Sequence, residues 1–427
     1  MADLRWHGRH NSRFPSLRLL VVLAFVATAC GGGGTADQSV APTHLRVLMS
    51  DDWADTKAFV DGVRSFEQQH PGVRVQIDKL AAGDVLGTVD ALIKQGTPPD
   101  VVQGHAFAAA SRGLAQPVDD LWKAAGLQDS EFLPGAVEDV MWAGRHYGHP
   151  LDTNALVLYY NARQFAEANL PTPDTWKTFG DLERAAQALS TPDGTRRALV
   201  LSDSTWRAFG WLNANGGEVV ELGTSDTPRF TIDSTANVET LRFLRGLIDK
   251  GLAFHPSLGA FAGDALALLR SGAASIYTSG SNDLVTLRKS GVADDVKIAV
   301  MPKGMRGVTQ GSSMGGSSLF VPVGATQRAV GFDFMRHVTS DAFALRFAKE
   351  ENRLPVRPRV YGDPFFEGAE NKTVLTQLES AHVYKLEAFA VARQAFGEAV
   401  RAALSGTKDP ETALRDAQAT ARASLPN

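Results

Sequence analysis

Residues 45–102 read LRVLMSDDWADTKAFVDGVRSFEQQHPGVRVQIDKLAAGDVLGTVDALIKQGTPPDVV and contain the pattern that decides the fold. Apolar periodicity and turn residues divide this stretch into a strand at 45–49, a helix at 58–70, a strand at 73–77, a helix at 86–94 and a strand at 100–102. The first helix places Phe59, Val63 and Phe66 on one side. Alternating strands and helices predict an α/β fold with a parallel sheet.

The same alternation continues through the rest of the chain. Strands are predicted at 155–160, 199–201, 298–300 and 318–322, and helices at 178–190, 238–250, 329–339 and 382–425, the last broken at Gly406. Thr178 is expected to cap its helix together with Asp181. Residues 303–318 are rich in Gly and Ser, which indicates a flexible segment between two strands.

Length and composition exclude several classes of protein. The chain has 427 residues, too many for one compact core, and 44% are hydrophobic and 21% charged, as in soluble globular proteins. The formal net charge of −4 argues against a nucleic-acid binder. A single cysteine excludes an intramolecular disulfide framework and any multi-cysteine metal site.

The N-terminus has the features of a secretory signal. Four arginines precede nine apolar residues at 19–27, a run too short to span a bilayer. The only cysteine, Cys30, follows Ala27-Thr28-Ala29, which resembles the lipobox of bacterial lipoproteins. We therefore expect residues 1–29 to be a signal peptide and residues 30–43 a flexible tether on a lipid anchor. The alternative is a plain signal peptide that leaves an unmodified thiol.

Seven short motifs occur in the order found in one known family. They are PDVV at 99–102, GRHYGHP at 144–150, LYYN at 158–161, PDTW at 173–176, NGG at 215–217, GGSS at 315–318 and LPVR at 354–357. Together they resemble the extracellular solute-binding proteins of ATP-binding-cassette (ABC) importers, in the sugar-binding group that includes maltose-binding protein. The resemblance covers roughly residues 45–425.

This resemblance implies a type II periplasmic-binding-protein-like α/β fold, in which two lobes enclose a ligand cleft. The N-terminal lobe would consist of residues 44–152 and 314–357, and the C-terminal lobe of residues 153–313 and 358–427. Crossings between lobes need extended or flexible backbone, which the sequence offers at 151–153, at 303–316 and at 355–358.

Candidate cleft residues combine aromatic, amide and charged side chains, since sugars stack on aromatic rings and bond to polar groups. They are Asp52, Trp53, His105, Asp152, Asn154, Trp206, Tyr277, Ser279, Asn282, Gly315, Gly316, Ser317 and Arg353. By similarity, Trp206 occupies the place of a stacking aromatic ring, whereas Trp211 is the better candidate for the core.

Structural roles stay open for most of these candidates. Trp206 could be a core residue, and Asp152 and Asn154 could serve a turn or a helix cap. Trp53 could pack against the next helix. The glycines at 315 and 316 could form a plain hinge, and Arg353 could form a salt bridge between lobes.

Three enzymatic readings find little support in the sequence. GSSMG at 311–315 matches G-x-S-x-G, but no clear strand precedes it and a predicted strand follows. His146 and His149 form H-x-x-H in a glycine-rich turn without an obvious third metal ligand. No pair of carboxylates stands out as a glycosidase would require.

The sequence therefore predicts a lipid-anchored, monomeric substrate-binding subunit of an ABC importer. It would capture a carbohydrate or related solute by lobe closure and deliver it to the transmembrane permease, without cofactor, metal or catalysis. One alternative is a binder of glycerophosphodiesters or sugar phosphates, with Arg353, Arg207 and His105 as cations. A secreted hydrolase is the other.

Overall fold

The computed structural model describes residues 42–81, 84–222, 228–254, 262–289, 295–307 and 310–425. The predicted signal peptide and nearly all of the predicted tether lie outside these residues. No helix within the described ranges is long and apolar enough to cross a membrane.

Strands and helices alternate along the described chain. The strands are β1 Thr43–Ser50, β2 Val73–Leu80, β3 Val101–Gly104, β4 Met141–Trp142, β5 Arg145–His146, β6 Gly148–Asn161, β7 Leu199–Val200, β8 Val220–Leu222, β9 Pro228–Phe230, β10 Ala253–Phe254, β11 Ile276–Gly280, β12 Val296–Ala299, β13 Ser312–Phe320 and β14 Ala381–Val383. The helices are α1 Asp51–Ala54, α2 Lys57–Gln69, α3 Val85–Lys94, α4 Ala106–Ser111, α5 Asp119–Ala124, α6 Pro134–Val140, α7 Ala162–Glu167, α8 Phe179–Leu189, α9 Thr205–Ala214, α10 Thr235–Asp249, α11 Ala262–Ser271, α12 Asp283–Lys289, α13 Arg328–Val338, α14 Asp341–Glu351, α15 Ala369–Leu378, α16 Ala390–Ser405 and α17 Pro410–Ala423.

One large mixed sheet runs through the molecule in the order β10-β7-β11-β6-β13-β3-β1-β2, with β12 paired to β6 and β14 to β13. Strand β1 is parallel to β2 and β3, and β7 is parallel to β10 and β11. The predicted α/β class with parallel strands is confirmed. The sheet has two ends, which we call the β1 side (β1, β2, β3 and their helices) and the β11 side (β7, β10, β11, β12 and their helices).

The β1 side is built as the first stretch of sequence predicts. Helix α2 begins after Thr56, whose hydroxyl accepts the Phe59 N–H at 3.3 Å. Phe59 and Phe66 are fully buried on its inner face and meet the Phe334 ring edge-on. Burial of these rings fixes α2 against α13 and orients the ends of β1 and β3.

The β11 side has its own apolar cluster. Helix α8 begins with the predicted capping box, in which Thr178 and Asp181 bond to each other's backbone N–H groups. Phe179 packs against Trp211, which is 2% exposed on α9, with 5.5 Å between ring centroids. Trp211 therefore has the core role predicted for it, and this packing fixes α9 relative to the sheet.

Strands β6 and β13 connect the two sides. They pair antiparallel from Met314 opposite Ala155 to Phe320 opposite Gly148, with a register shift between Ser317 and Ser318. One end of β6 also pairs with β11 and β12, and one end of β13 also pairs with β3. A third segment joins them at Leu354, which exchanges backbone hydrogen bonds with Thr153 of 3.0 and 3.2 Å.

Three local predictions were wrong. Strand β13 begins at Ser312 instead of 318, because its Gly and Ser residues pair with a neighbouring strand that the sequence alone does not reveal. Strand β6 begins at Gly148, seven residues before the prediction. The tail starts with the short strand β14, so His382 lies on a strand and the first tail helix starts at Ala390.

Candidate solute-binding cleft

A cavity of about 360 Å³ lies between the β1 side and the β11 side, and β6 and β13 form part of its wall. It is lined by His105, Phe107, Gly135, Ala136, Asp139, Pro150, Asp152, Asn154, Trp206, Arg207, Ser279, Gly280, Asn282, Asp283, Met314, Gly315, Gly316, Ser317, Val383, Tyr384 and Glu387. Strand ends and helix starts supply most of these side chains. The cavity thus gathers groups that are far apart in the sequence.

The structure brings nine of the thirteen predicted site residues to this cavity. They are His105, Asp152, Asn154, Trp206, Ser279, Asn282, Gly315, Gly316 and Ser317. The remaining four lie elsewhere. Tyr277 is 1% exposed beneath the cavity wall, and Asp52, Trp53 and Arg353 form a separate contact behind Asp152.

Arg353 connects this separate contact to Asp152. Its guanidinium lies 4.6 Å from the centre of the Trp53 ring and bonds to Asp52 at 2.6 Å and to Asp152 at 3.4 Å. Trp53 is 1% exposed and packs against Phe347, 4.6 Å between centroids. These contacts give Trp53 a core position against α14, instead of the packing on the next helix that the sequence had left open, and give Arg353 salt bridges to two carboxylates.

Asp152 ties the crossing segments together. Its Oδ1 accepts both the backbone N–H and the hydroxyl of Ser317 at 2.9 Å, and its Oδ2 accepts Arg353. Asp152 is 7% exposed, and this burial raises its pKa although Arg353 and Ser317 oppose the change. A single carboxylate therefore links β6, β13 and the segment after α14.

A glycine is required at position 316, where β13 pairs closely with β6. Its φ is +118°, a conformation that L side chains rarely adopt, and an added Cβ would lie 2.2 Å from the Asp152 carbonyl oxygen. This close approach positions the Ser317 N–H against the Asp152 carboxylate. The glycine thus has a structural reason to be there in addition to lining the cavity.

His105 forms an ion pair on the β1 side of the cavity. It lies between the end of β3 and the start of α4, and its Nδ1 donates to Asp139 Oδ1 at 2.6 Å. Burial alone would lower the pKa of His105, but the charge and hydrogen bond of Asp139 raise it to about 9. His105 is therefore a cation at neutral pH, already neutralised by Asp139.

Trp206 and Arg207 reach the cavity from the first turn of α9. The Trp206 indole N–H donates to the Met314 carbonyl oxygen at 3.1 Å, and Trp206 is only partly buried. Arg207 donates to Ser279 Oγ at 2.9 Å, and that hydroxyl donates to Asp283 Oδ2 at 2.5 Å. The Arg207 guanidinium also lies over the Tyr277 ring, 5.7 Å from the ring centre. An aromatic surface and a cation thus stand side by side on the β11 side.

Four buried polar atoms around the cavity have no hydrogen-bond partner among the described residues. They are Asp139 Oδ2, Asn154 Oδ1, Arg207 Nε and the Tyr384 hydroxyl. Buried polar groups are normally bonded, so each such atom needs a reason. Two of the four are acceptors, Arg207 Nε is a donor, and a hydroxyl can do both.

Sequence reasoning missed several residues of the cavity wall. The main ones are Asp139 on α6, Asp283 at the start of α12, and Tyr384 and Glu387 after β14. No motif marks Asp139 in the sequence, and the predicted tail helix hid Tyr384 and Glu387. The one available signal was the candidate Asn282, since Asp283 follows it directly.

The enzymatic motifs are explained by structural roles. Ser313 is buried inside β13 and donates to the Trp206 carbonyl oxygen, which does not fit an exposed nucleophile. His146 stacks on Trp122 and contacts Asp119 and Asp129, and His149 is buried with its pKa lowered to about 3 by burial. Within the described part of the chain, no group of three or more His, Cys, Asp or Glu residues could hold a metal ion.

Two α/β sides joined by crossing strands, with a polar cavity at their junction, define a two-lobed binding protein of type II. Residues 63–373 match the family described as bacterial extracellular solute-binding protein, and the chain belongs to that family. The predicted fold and the predicted solute-binding class are confirmed.

Two curated relatives are similar in sequence. An uncharacterized ABC transporter extracellular-binding protein of Pyrococcus horikoshii is 27% identical over 213 residues, which are 47% of this chain and 48% of that relative. The match thus spans about half the length of that relative. The sn-glycerol-3-phosphate-binding periplasmic protein UgpB of Rhizobium meliloti is 24% identical over 407 residues, covering 89% of this chain and 93% of UgpB.

Solved structures share the fold at low sequence identity. The GacH receptor of Streptomyces glaucescens, studied unliganded and with acarbose, has a TM-score of 0.77 at 21% identity and covers 90% of this chain and 98% of its own. UgpB of Mycobacterium tuberculosis, in complex with glycerophosphocholine, has a TM-score of 0.73 at 19% identity, with the same coverage of 90% and 98%. Both likenesses show the architecture.

Proposed function

We propose that this protein is the substrate-binding subunit of an ABC importer and captures a carbohydrate or a related polyol by lobe closure. The cavity between the β1 side and the β11 side carries this proposal, because both sides and the crossing strands contribute polar groups to it. The protein would bind its solute without a chemical step and without a cofactor. It would then deliver the solute to the transmembrane permease.

The polar groups of the cavity suit a ligand rich in hydroxyls. Asn154 and Asn282 offer amide groups, and unpartnered acceptors and donors lie within the same wall. A hydroxyl both donates and accepts, so a polyol could satisfy both kinds of group. Trp206 adds the flat apolar surface on which the C–H face of a sugar ring stacks.

The lobes would move about the three crossing segments. We propose an N-terminal lobe of residues 44–152 and 314–357 and a C-terminal lobe of residues 153–313 and 358–427. The Asp152 contacts to Ser317 and Arg353 support this division, since all three residues stand at or near the crossing segments and bond to one another within the proposed N-terminal lobe. Few-residue hinges of this kind absorb the backbone change on closure.

Attachment to the outer face of the membrane is the second part of the proposal. Cys30 would become the acylated first residue after removal of residues 1–29, and the segment 30–43 would tether a monomeric binding unit. Cys30→Ser should abolish incorporation of labelled fatty acid and release the protein from the membrane fraction. Retention of both in the variant would contradict lipidation at Cys30.

A glycerol phosphate or sugar phosphate is the second candidate class of solute. Its support is Arg207, which lines the cavity without a carboxylate at salt-bridge distance among the described residues. His105 and Arg353, the other predicted cations, are already paired with Asp139, Asp52 and Asp152. This class therefore depends on Arg207.

Calorimetric titration with sugars, polyols, sugar phosphates and glycerophosphodiesters tests the solute class. We expect saturable binding of at least one class with one site per chain. Absence of binding by every class would overturn the proposal. Release of product from a chromogenic glycoside or ester would instead favour a secreted hydrolase.

A further inference from the structure

Arg207 is a cation without a carboxylate at salt-bridge distance among the described residues. It lies on the first turn of α9 and lines the cavity, and its only side-chain hydrogen bond among those residues goes to Ser279 Oγ at 2.9 Å. Its Nε is buried without a partner. A guanidinium removed from water is costly unless an anion or several acceptors compensate it. Arg353, in contrast, has two carboxylates.

The N-terminus of α9 adds a second source of positive potential. Ser204 precedes the helix without a side-chain cap, and the first turn contains no acidic residue. Within the described chain, the N–H groups of residues 205–207 donate to no protein acceptor. The helix dipole favours an anion at this end, and Arg207 adds a further positive charge there.

Tyr384 supplies an independent donor at the same place. It is 3% exposed and lines the cavity, and its hydroxyl has no partner at hydrogen-bond geometry among the described residues. The Thr205 side chain of α9 lies close enough to lower the pKa of Tyr384, but burial has the larger effect and raises it, so the hydroxyl keeps its proton. A buried hydroxyl beside another hydroxyl can donate to an acceptor that a ligand supplies.

Building on the proposed function, we infer that the solute carries an anionic group, a phosphate or a carboxylate, that binds between the α9 N-terminus, Arg207 and Tyr384. We call this place the anion subsite. The nearby carboxylates do not prevent this binding. Asp139 is neutralised by His105 at 2.6 Å, and Asp283 accepts the Ser279 hydroxyl that separates it from Arg207. Asp152 is bonded to Ser317 and Arg353, and Glu387 is paired with Arg393 at 3.2 Å. The polyol part of the solute would extend from the anion subsite towards Asn154 and Asn282.

Matched pairs of ligands test the anion subsite on the unmodified protein. Calorimetry would compare glycerol with glycerol 3-phosphate, and glucose with glucose 6-phosphate and glucuronate, with inorganic phosphate alone as a further probe. We expect the anionic member of at least one pair to bind at least about tenfold more tightly than its neutral member, as charged hydrogen bonds imply. Phosphates and glucuronate distinguish the two anionic groups.

Substitutions then assign the effect to its residues. Arg207→Gln should remove about tenfold or more of the affinity for the anionic ligand and change the affinity for the neutral one by less than about twofold. Arg207→Lys should restore part of it, and Tyr384→Phe should cost about three- to tenfold. Arg163→Gln is the matched control, since Arg163 lies outside the cavity and faces Asp295 at 3.5 Å. A thermal melt of each variant checks folding.

The outcomes separate this inference from the proposed function. Tighter binding of a neutral member in every pair, or equal losses for both members in Arg207→Gln, would overturn the anion subsite and leave a neutral polyol as the solute. Absence of binding by all probes would overturn the proposed function and the subsite with it. Selective loss of the anionic ligand in Arg207→Gln, with Arg163→Gln unchanged, would support both.

Discussion

On the β1 side of the cleft, His105 is bonded to Asp139 at 2.6 Å and Arg353 to Asp52 at 2.6 Å. On the β11 side, Arg207 contacts a serine hydroxyl, and the Tyr384 hydroxyl has no partner at hydrogen-bond geometry among the described residues. Both sides present cations and aromatic rings to the same junction. Of the two cations that line the cavity, His105 on the β1 side is paired with a carboxylate and Arg207 on the β11 side is not.

This difference separates polar groups that hold the fold from polar groups left for a ligand. A charge that is already paired inside the protein gains little from a ligand, because its hydrogen bonds must first be exchanged. An unpartnered donor gains the full interaction when an acceptor arrives. We therefore expect substitutions on the β1 side to affect stability and substitutions on the β11 side to affect binding.

Asp152→Ala should have the largest effect of these substitutions and should lower the stability of the fold on the side where charges are paired. The substitution would leave the Ser317 N–H and one contact of Arg353 unsatisfied in a buried place, and we expect the free energy of unfolding to fall by about 2–4 kcal/mol. Denaturant titration measures this loss. Asp52→Ala removes the other carboxylate of Arg353, but Asp52 is exposed, so its cost should stay below about 1 kcal/mol. Equal losses in the two variants would contradict the role given to Asp152.

Trp206→Ala should impair solute binding on the β11 side. Loss of the aromatic surface should weaken solute binding by about 1–3 kcal/mol, the usual effect of removing an aromatic anchor. Calorimetry with the tightest ligand of the panel measures it. Trp142→Ala makes the same chemical change on β4, outside the cavity, and should leave affinity unchanged. If the Trp206 variant binds normally with an intact fold, Trp206 is a core residue only.

Much of the fold could be predicted because local patterns and tertiary contacts agree there. The alternation of strands and helices in 45–102 follows directly from apolar periodicity, and the box of Thr178 and Asp181 is a local signal. The first part of strand β13, residues 312–317, was missed because Gly315 and Gly316 have low strand propensity. Its pairing with β6 stabilises it, and pairing is not visible in one sequence.

Apart from Trp206 on α9, which the family resemblance supplied, the site was predictable where residues lie on or follow a strand and was missed where helices contribute. His105, Asn154 and Asn282 lie at or just after strand segments, where α/β proteins present side chains to a cleft. Asp139 and Tyr384 reach the cavity only through the packing of α6 and of the segment after β14. Trp53 follows a strand too, but its ring is buried against Phe347.

A change of pH should have a smaller effect, again on fold stability, through the pair of His105 and Asp139 on the β1 side. The pKa of His105 is raised from an ordinary 6.5 to about 9, so its pairing with Asp139 stabilises the fold fully below pH 6.5. Between pH 6.5 and 9 the unfolded chain binds fewer protons than the folded one, and stability falls as pH rises. Because the His105 side chain is 39% exposed, screening limits the loss to roughly 1 kcal/mol.

Asp139→Asn tests whether the pair of His105 and Asp139 causes this fall of stability with rising pH. Without the carboxylate, the pKa of His105 should fall, because burial then acts without opposition from Asp139, and the loss of stability between pH 6.5 and 9 should disappear. Thermal melts of both proteins across this range measure the slopes. An unchanged slope in Asp139→Asn would assign the pH dependence to other groups. In that case His105 and Asp139 would not neutralise each other, and their charges would be as available to a solute as the charge of Arg207.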